Sequence, residues 1–161
     1  MGSVYAFREM TTADLALVTR WLAMPHVREW WGDPSEQHAL VNGDLDEPAM
    51  DQFIVSIDGI DFGYIQCYAL TAWNECFGAH PEGTRGIDLF IGEPDMIGCG
   101  HGSALIRSFV IERLEEGAPR VVTDPHPNNA RAVRAYEKAG FEKVRTIDTP
   151  DGPALLMLCD A

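Results

Sequence analysis

The fold is decided by the run Gly98-Cys99-Gly100-His101-Gly102-Ser103-Ala104-Leu105-Ile106, in which three alternating glycines stand directly before a segment with apolar residues at helical spacing. The spacing predicts a helix over residues 103–116. Glycine allows positive φ and lets a backbone pass close to another group. The amino end of a helix presents N–H groups and a positive dipole end, which suit a pyrophosphate.

This glycine spacing fits neither of two common nucleotide motifs. A dinucleotide site needs Gly-x-Gly-x-x-Gly after the first strand of a βαβ unit, whereas this turn lies past the middle of the chain. A P-loop needs a lysine before its Ser or Thr, and Gly102-Ser103 lacks it. A plain tight turn would also explain the glycines, so the remaining functional interpretation is a phosphate-bearing cofactor other than NAD or ATP.

The segments around the run predict a mixed sheet. Strands over 86–91 and 120–123 flank the turn and its helix, which implies a parallel βαβ crossover. The other predicted elements are strands over 4–8, 52–57, 62–70, 141–147 and 154–159, helices over 11–22, 34–41 and 128–139, a hairpin turn at Asp58-Gly59, a loop over 71–84 and a helix stop at Gly140. Pro25 either ends the first helix or starts another. We therefore expect an α/β (mixed α+β) fold with a central, mostly antiparallel sheet of about seven strands and helices on both faces.

The composition favours one soluble domain over residues 1–161. Hydrophobic residues make up 46% of the chain, and the formal net charge of −13 argues against nucleic acid as a partner. The charge is typical of an acidic soluble protein, and it would also attract a cationic ligand. The sequence contains no apolar run long enough for a membrane span and no spacing of cysteines or histidines typical of zinc sites. We expect a cytoplasmic protein without a metal.

Two motifs resemble the GCN5-related N-acetyltransferase (GNAT) superfamily. The glycine run resembles its acyl-CoA pyrophosphate loop, although Ile97 stands where many members have Arg or Gln. The later run Asn128-Asn129-Ala130-Arg131-Ala132-Val133-Arg134-Ala135-Tyr136-Glu137-Lys138-Ala139-Gly140-Phe141 is similar to its Asn-x-x-Ala-x-x-x-Tyr-x-x-x-Gly-Phe motif. A further set of segments resembles aminoglycoside 6'-N-acetyltransferases: His26-Val27-Arg28-Glu29-Trp30-Trp31-Gly32, and residues 63–68, 85–91, 123–125 and 149–153.

The resemblance implies direct attack of an amine on the thioester of acetyl-CoA, without an acyl-enzyme. Asp88 is the implied proton acceptor for the amine, although strand alternation could also place it outward on an edge strand. Tyr136 is the implied general acid for the departing thiolate, although an amphipathic helix could also use it for packing. The implied CoA contacts are the strand backbone at Phe90 and Ile91, the loop residues Gly98, Cys99, Gly100, His101, Gly102 and Ser103, and Asn129, which could equally be a helix cap.

The resemblance also implies a groove for a polycationic aminoglycoside. The candidate substrate residues are Trp30, Gln66, Tyr68, Glu75, Asp88 and Asp124. Asp124 could instead form an Asx turn before Pro125. Adjacent tryptophans cannot both face a core from one helix, so either Trp30 or Trp31 is exposed or covers a pocket. The alternatives are an acetyltransferase for another small amine or a protein N-terminus, and a non-catalytic acyl-CoA-binding module. The protein would act as a monomer or homodimer, with no membrane partner.

Overall fold

The computed structural model describes residues 4–73 and 76–161, with only the backbone of Trp73. The chain groups into two compact units. Unit 1 comprises Met1–Cys67 and Leu89–Cys99, and unit 2 comprises Tyr68–Asp88 and Gly100–Ala161.

The elements follow one another along the chain as strands and helices with these bounds: β1 (Tyr5–Glu9), a 3-10 turn (Thr12–Asp14), α1 (Leu15–Leu22), α2 (Pro25–Trp31), α3 (Pro34–Asp44), β2 (Met50–Ile57), β3 (Ile60–Ala69), α4 (Leu70–Trp73), β4 (Arg85–Ile91), a 3-10 turn (Pro94–Met96), α5 (His101–Glu115), β5 (Arg120–Thr123), α6 (Ala130–Lys138), β6 (Glu142–Thr149) and β7 (Gly152–Asp160). Within the described residues the strands form one seven-stranded sheet in the order β1-β2-β3-β4-β5-β7-β6.

The predicted fold class is confirmed by this sheet. β4 and β5 are parallel, with Arg85 opposite Val121 and Gly86 opposite Val122. The strand pairs β1–β2, β5–β7 and β6–β7 are antiparallel. The hairpin between β2 and β3 turns at Asp58 and Gly59, whose φ angles of 51° and 79° are both positive, as the favoured two-residue turn requires.

Two local features differ from the sequence prediction, and one alternative that the sequence left open is decided. Pro25 starts the separate helix α2, because proline fits the first helical position. The predicted loop after β3 begins with the short helix α4. Helix α5 begins at His101 rather than at residue 103, because Gly100 adopts the left-handed conformation at the N-cap. Gly102 is therefore a helical residue and not part of the turn.

The core of unit 1 contains the indole of Trp21, a residue of α1 that is fully buried. Trp21 packs edge-on against Phe90, with ring centroids 6.2 Å apart. A Cβ built on Gly92 would lie 2.1 Å from Trp21 Cγ, so glycine is required where the indole crosses the end of β4. Trp21 Nε1 donates a hydrogen bond to Glu93 Oε1 at 2.9 Å, which satisfies the buried donor.

The chain enters α1 through a charged cap in unit 1. Thr11 accepts a hydrogen bond from Ala13 N at 3.3 Å, and the Asp14 carboxylate accepts one from Thr11 N at 3.0 Å. Arg8 donates two hydrogen bonds of 2.9 Å to Asp14. This ion pair lowers the pKa of Asp14 below its ordinary value. The helix start predicted at residues 11–14 is therefore present and has a charged partner.

The core of unit 2 lies between α5, α6 and the strands β5 and β7. Its buried side chains include Leu105, Ile106, Phe109, Val110, Val121, Val122, Leu156 and Met157. A Cβ on Gly102 would lie 3.7 Å from Ala135 Cβ, so the first turn of α5 runs close beside α6. This packing fixes the amino end of α5 next to the helix that bears Tyr136.

Candidate active site

Two carboxyl groups meet in unit 2 where β4 and β5 run side by side. The parallel register that sets Gly86 opposite Val122 brings Asp88 level with Asp124, the residue directly after β5. The two side chains are close enough to form a hydrogen bond when one of them is protonated. Burial, the charge of Asp88, that hydrogen bond and the charge of Asp151 raise the pKa of Asp124 to about 8. Asp88 is half-buried, and β4 lies between β3 and β5 in the sheet, so the alternative that placed Asp88 on an edge strand is wrong.

Tyr136 lies in α6 beside the two carboxyl groups. Its side chain is buried, and its hydroxyl is hydrogen-bonded to the Thr123 hydroxyl. Burial is the main cause that raises the pKa of Tyr136, and the charges of Asp88 and Asp124 raise it further against a smaller lowering by Thr123. The phenol therefore keeps its proton at neutral pH and can donate it.

Tyr136 also packs, so the packing interpretation of this residue is confirmed, and its role as a general acid stays a prediction. Its ring meets Phe141 edge-on with centroids 5.3 Å apart. Thr123 Oγ1 donates a hydrogen bond to the Ile87 carbonyl at 3.2 Å, which anchors the hydroxyl beside Tyr136 to β4. Thr123 was not singled out from the sequence. The available signal was a polar residue at the end of an otherwise apolar strand.

Tyr68 and Gly86 form a close contact at the start of β4. The Tyr68 side chain is buried. A Cβ built on Gly86 would lie 2.3 Å from Tyr68 Cε2 and Cζ and 2.7 Å from its hydroxyl oxygen. Gly86 and Asp88 share one face of β4, because side chains alternate along a strand. The Tyr68 ring therefore lies on the strand face that bears Asp88.

The glycine turn before α5 is open. Gly98 and Gly100 have φ angles of 76° and 83°, and a Cβ on either would meet nothing within 4 Å. Positive φ, rather than crowding, is thus what requires glycine here. Cys99 Sγ donates weak hydrogen bonds to the Asp95 and Ile97 carbonyls at 3.7 and 3.6 Å, which hold the turn.

The amino end of α5 has the properties of an anion site. Gly100 at the N-cap offers no side-chain hydrogen bond to the helix. The first helical residues are His101, Gly102 and Ser103, each half-buried. First-turn amides have no acceptor within their own helix and lie at the positive dipole end. Phosphate oxygens are the ligands that such an end favours. A contact of these residues with CoA stays a prediction.

The predicted pantetheine strand lies in unit 1 at Phe90 and Ile91. The Phe90 side chain is buried against Tyr64 and Trp31, with ring centroids 5.4 and 5.1 Å away. A contact of Phe90 with the pantetheine arm stays a prediction, and only the backbone of this residue would be free to make it. The Ile91 carbonyl accepts a hydrogen bond from His26 Nε2 at 2.8 Å, which ties α2 to the end of β4.

The two adjacent tryptophans of α2 have different surroundings. Trp31 packs edge-on against Tyr64 and Phe90, whereas the Trp30 residue is 39% exposed. The prediction that one of the two is exposed is confirmed, and Trp30 is that residue. Gln66 is half-buried, and its Oε1 accepts a hydrogen bond from the Tyr64 hydroxyl at 2.7 Å. The predicted substrate residue Glu75 lies outside the described residues.

Asn129 is the N-cap of α6. Its side chain accepts a hydrogen bond from Ala132 N at 3.2 Å. The helix-cap interpretation is therefore confirmed, and the proposed contact with CoA stays a prediction. Across residues 4–73 and 76–161, no group of three or more His, Cys, Asp or Glu side chains could hold a metal ion. No helix in the same ranges is long and apolar enough to cross a bilayer.

Comparisons with known proteins agree on one family. The sequence profile described as the acetyltransferase (GNAT) domain matches residues 10–149. An aminoglycoside N(6')-acetyltransferase type 1 from Klebsiella pneumoniae is 36% identical, over 94% of this chain and 80% of the relative. An N-hydroxyputrescine acetyltransferase from Acinetobacter baumannii is 28% identical, over 96% of this chain and 77% of the relative.

A solved structure shows the same arrangement of the chain. The crystal structure of an aminoglycoside acetyltransferase in complex with coenzyme A and kanamycin superposes with a TM-score of 0.86 at 33% identity, over 97% of this chain and 94% of that chain. A second structure, in complex with paromomycin and acetyl-CoA, gives a TM-score of 0.87 at 34% identity, over 97% and 93%.

Proposed function

Because the chain belongs to the GNAT acetyltransferase family, we propose that it transfers the acetyl group of acetyl-CoA to the 6'-amine of an aminoglycoside. The observation that carries the proposal is the meeting of Asp88, Asp124 and Tyr136 in unit 2. The relatives named above for their aminoglycoside activity and ligands support the choice of substrate. Modification of the amine would remove a positive charge from the antibiotic, and we propose that this confers resistance.

Direct transfer needs an uncharged amine, because an ammonium has no lone pair. Asp88 is the proposed acceptor of its proton, and Asp124 binds an amine of the same substrate as an ion-pair partner. The nitrogen then forms a bond to the thioester carbonyl carbon, and the carbon–sulfur bond breaks with its electron pair on sulfur. Tyr136 gives a proton to the thiolate, consistent with a phenol that keeps its proton at neutral pH.

The acyl donor is proposed to bind along the other predicted residues. The first-turn amides of α5 and the open turn at Gly98 and Gly100 are suited to the pyrophosphate. The backbone of Phe90 and Ile91 is suited to the pantetheine arm, and the Asn129 side chain lies at the amino end of α6. Trp30 and Gln66 in unit 1 and Tyr68 in unit 2 are proposed to contact the acceptor, and Glu75 is proposed as a further contact on the sequence resemblance alone.

Charge supports a polycationic acceptor. The formal net charge is −13, and the two carboxyl groups of the site have Asp151 as a further acidic neighbour. A substrate with several ammonium groups is attracted by such a field.

Thiol release from acetyl-CoA tests the proposal with three acceptors in parallel. We expect turnover with kanamycin A, and none with paromomycin, which has a hydroxyl at the 6' position. Turnover with both would move the acetylated position to another amine. N-hydroxyputrescine is the third acceptor, because one relative is named for it. Turnover with this amine alone would overturn the aminoglycoside assignment, and binding of acetyl-CoA without turnover of any amine would favour a non-catalytic module.

A further inference from the structure

The parallel register of β4 and β5 sets Asp88 level with Asp124 on the neighbouring strand, and a hydrogen bond between the two carboxyl groups requires a proton. An ionised carboxylate has only acceptor atoms, so two of them cannot bond to each other. The pair can therefore form a hydrogen bond only while one carboxyl group is protonated, and a pKa of Asp124 raised to about 8 keeps that proton in place at neutral pH. Like charges at level positions of neighbouring strands disfavour a second ionisation, as in other carboxyl pairs that share one proton.

The surroundings of the pair favour the singly protonated state. β5 leads directly into Asp124, and β4 contributes Asp88. The turn between β6 and β7 contributes Asp151, a second negative charge that acts on Asp124, and α6 contributes the buried phenol of Tyr136. Burial is the main cause that disfavours the charged form of Asp124, and the ionisable neighbours named here are acidic groups that add to its effect.

We infer that Asp88 and Asp124 share a single proton when no acceptor is bound, and that this proton leaves to solvent when the acceptor ammonium binds. The inference rests on the proposed function for the identity of the acceptor. The net proton of the reaction is then released when the acceptor binds, and not when the acetyl group is transferred.

The proton balance of the cycle follows from this starting state. The acceptor arrives as R–NH3+, and the shared proton passes to solvent, which leaves two carboxylates beside the ammonium. The pair then takes one proton from the ammonium, which restores the shared proton and leaves a neutral amine. After the nitrogen–carbon bond forms and the carbon–sulfur bond breaks, Tyr136 protonates the thiolate. The second proton of the nitrogen returns to Tyr136, so one proton per acetyl group reaches solvent.

The first test is carried out on the protein without an acceptor. With 13C-labelled aspartate carboxyl groups, NMR titration should show an aspartate that titrates near pH 8. This signal should be lost in Asp124→Asn. In Asp88→Asn it should move to lower pH, because the charge of Asp88 is removed while burial still raises the pKa of Asp124. The control is Asp148→Asn, an exposed position on β6, which should keep it. A titration in which every aspartate carboxyl ionises in the ordinary acidic range would overturn the shared proton.

The second test counts protons on binding. Calorimetric titration of kanamycin A into the complex with CoA, in buffers of different ionisation enthalpy at neutral pH, should show that the wild-type protein releases about one proton more than Asp124→Asn. Equal release by the two proteins would overturn release at binding. Because the NMR titration uses no acceptor, a high aspartate pKa in a protein that acetylates no aminoglycoside would reject the proposed function and leave the shared proton intact.

Discussion

The ring of Tyr68 lies directly against the Cα of Gly86, so closely that a Cβ at that position would be 2.3 Å from two ring carbons. Both residues belong to unit 2, at the end of β3 and the start of β4. The absence of a side chain at Gly86 allows an aromatic ring to cover the strand face that bears Asp88 two residues later.

Gly86→Ala should therefore destabilise the protein and disturb acceptor binding. The added methyl group has no space unless Tyr68 moves, and overpacking of this kind costs about 1–3 kcal/mol. Urea denaturation measures the loss in the free energy of unfolding, and steady-state kinetics with kanamycin A should show a higher KM for the acceptor. In a Tyr68→Ala background the same substitution should cost much less in both measurements. An equal loss in the two backgrounds would separate Gly86 from Tyr68.

Features of the fold that depend on residues close in sequence could be predicted. The hairpin at Asp58-Gly59 and the strand over 120–123 depend on neighbours in sequence. The contact of Tyr68 with Gly86 was not predicted, because it depends on which strands pair and in what register. The same limit applies to the hydrogen bond between Asp88 and Asp124, since each carboxyl group alone is compatible with an exposed strand or an Asx turn.

Helix boundaries illustrate a second limit. Pro25 is compatible with a helix end and with a helix start, and the periodicity around it does not distinguish the two. The start of α5 at His101 follows from the left-handed φ of Gly100, whereas the alternating glycines alone suggested a longer turn. The proton-transfer roles of Asp88 and Tyr136 were implied by the family resemblance and not by local sequence patterns. Substitutions at both residues are needed to test these roles.

Asp88→Asn should reduce kcat strongly while the affinity for CoA changes little. The amide keeps the size and hydrogen-bonding shape of the side chain but cannot take up a proton at neutral pH. Single-turnover thiol release measures the chemical step, and calorimetry measures CoA binding. Asp148→Asn should behave as the wild-type protein in both. Unchanged turnover in Asp88→Asn would remove this carboxyl group from the mechanism.

Tyr136→Phe should lower kcat by about 100-fold, a typical contribution of a positioned proton donor. The aromatic ring and its edge-on contact with Phe141 are retained, so the expected loss of stability is only about 1 kcal/mol for the hydrogen bond with Thr123. Kinetics and thermal unfolding of the same preparation separate the two effects. If stability falls while kcat is unchanged, Tyr136 has only a packing role.

Acceptor affinity should fall as salt is added. The formal net charge of −13 and the acidic groups around Asp124 attract a polycation, and dissolved ions screen this attraction. The KM for kanamycin A, measured at saturating acetyl-CoA from low to high sodium chloride, should rise steadily. A KM that stays constant over the series would show that charge attraction does not determine acceptor binding.

Asp124→Asn should change how stability depends on pH. In the folded protein the pKa of Asp124 is about 8, above its ordinary value of 3.8. Between these two pH values the folded state holds a proton that the unfolded state has lost, so the free energy of unfolding decreases as pH rises. The stabilisation from this group is complete below about pH 4 and is lost as pH rises through about 8. The asparagine variant lacks this contribution, so its melting temperature should rise relative to that of the wild-type protein as the pH increases across this range.

The acid-side contribution of Asp14 is present in both proteins and cancels in the comparison. As a control, Asp148→Asn should give a curve of melting temperature against pH that is parallel to that of the wild type. Parallel curves for wild type and Asp124→Asn would mean that this carboxyl group titrates in the folded protein as it does in the unfolded chain.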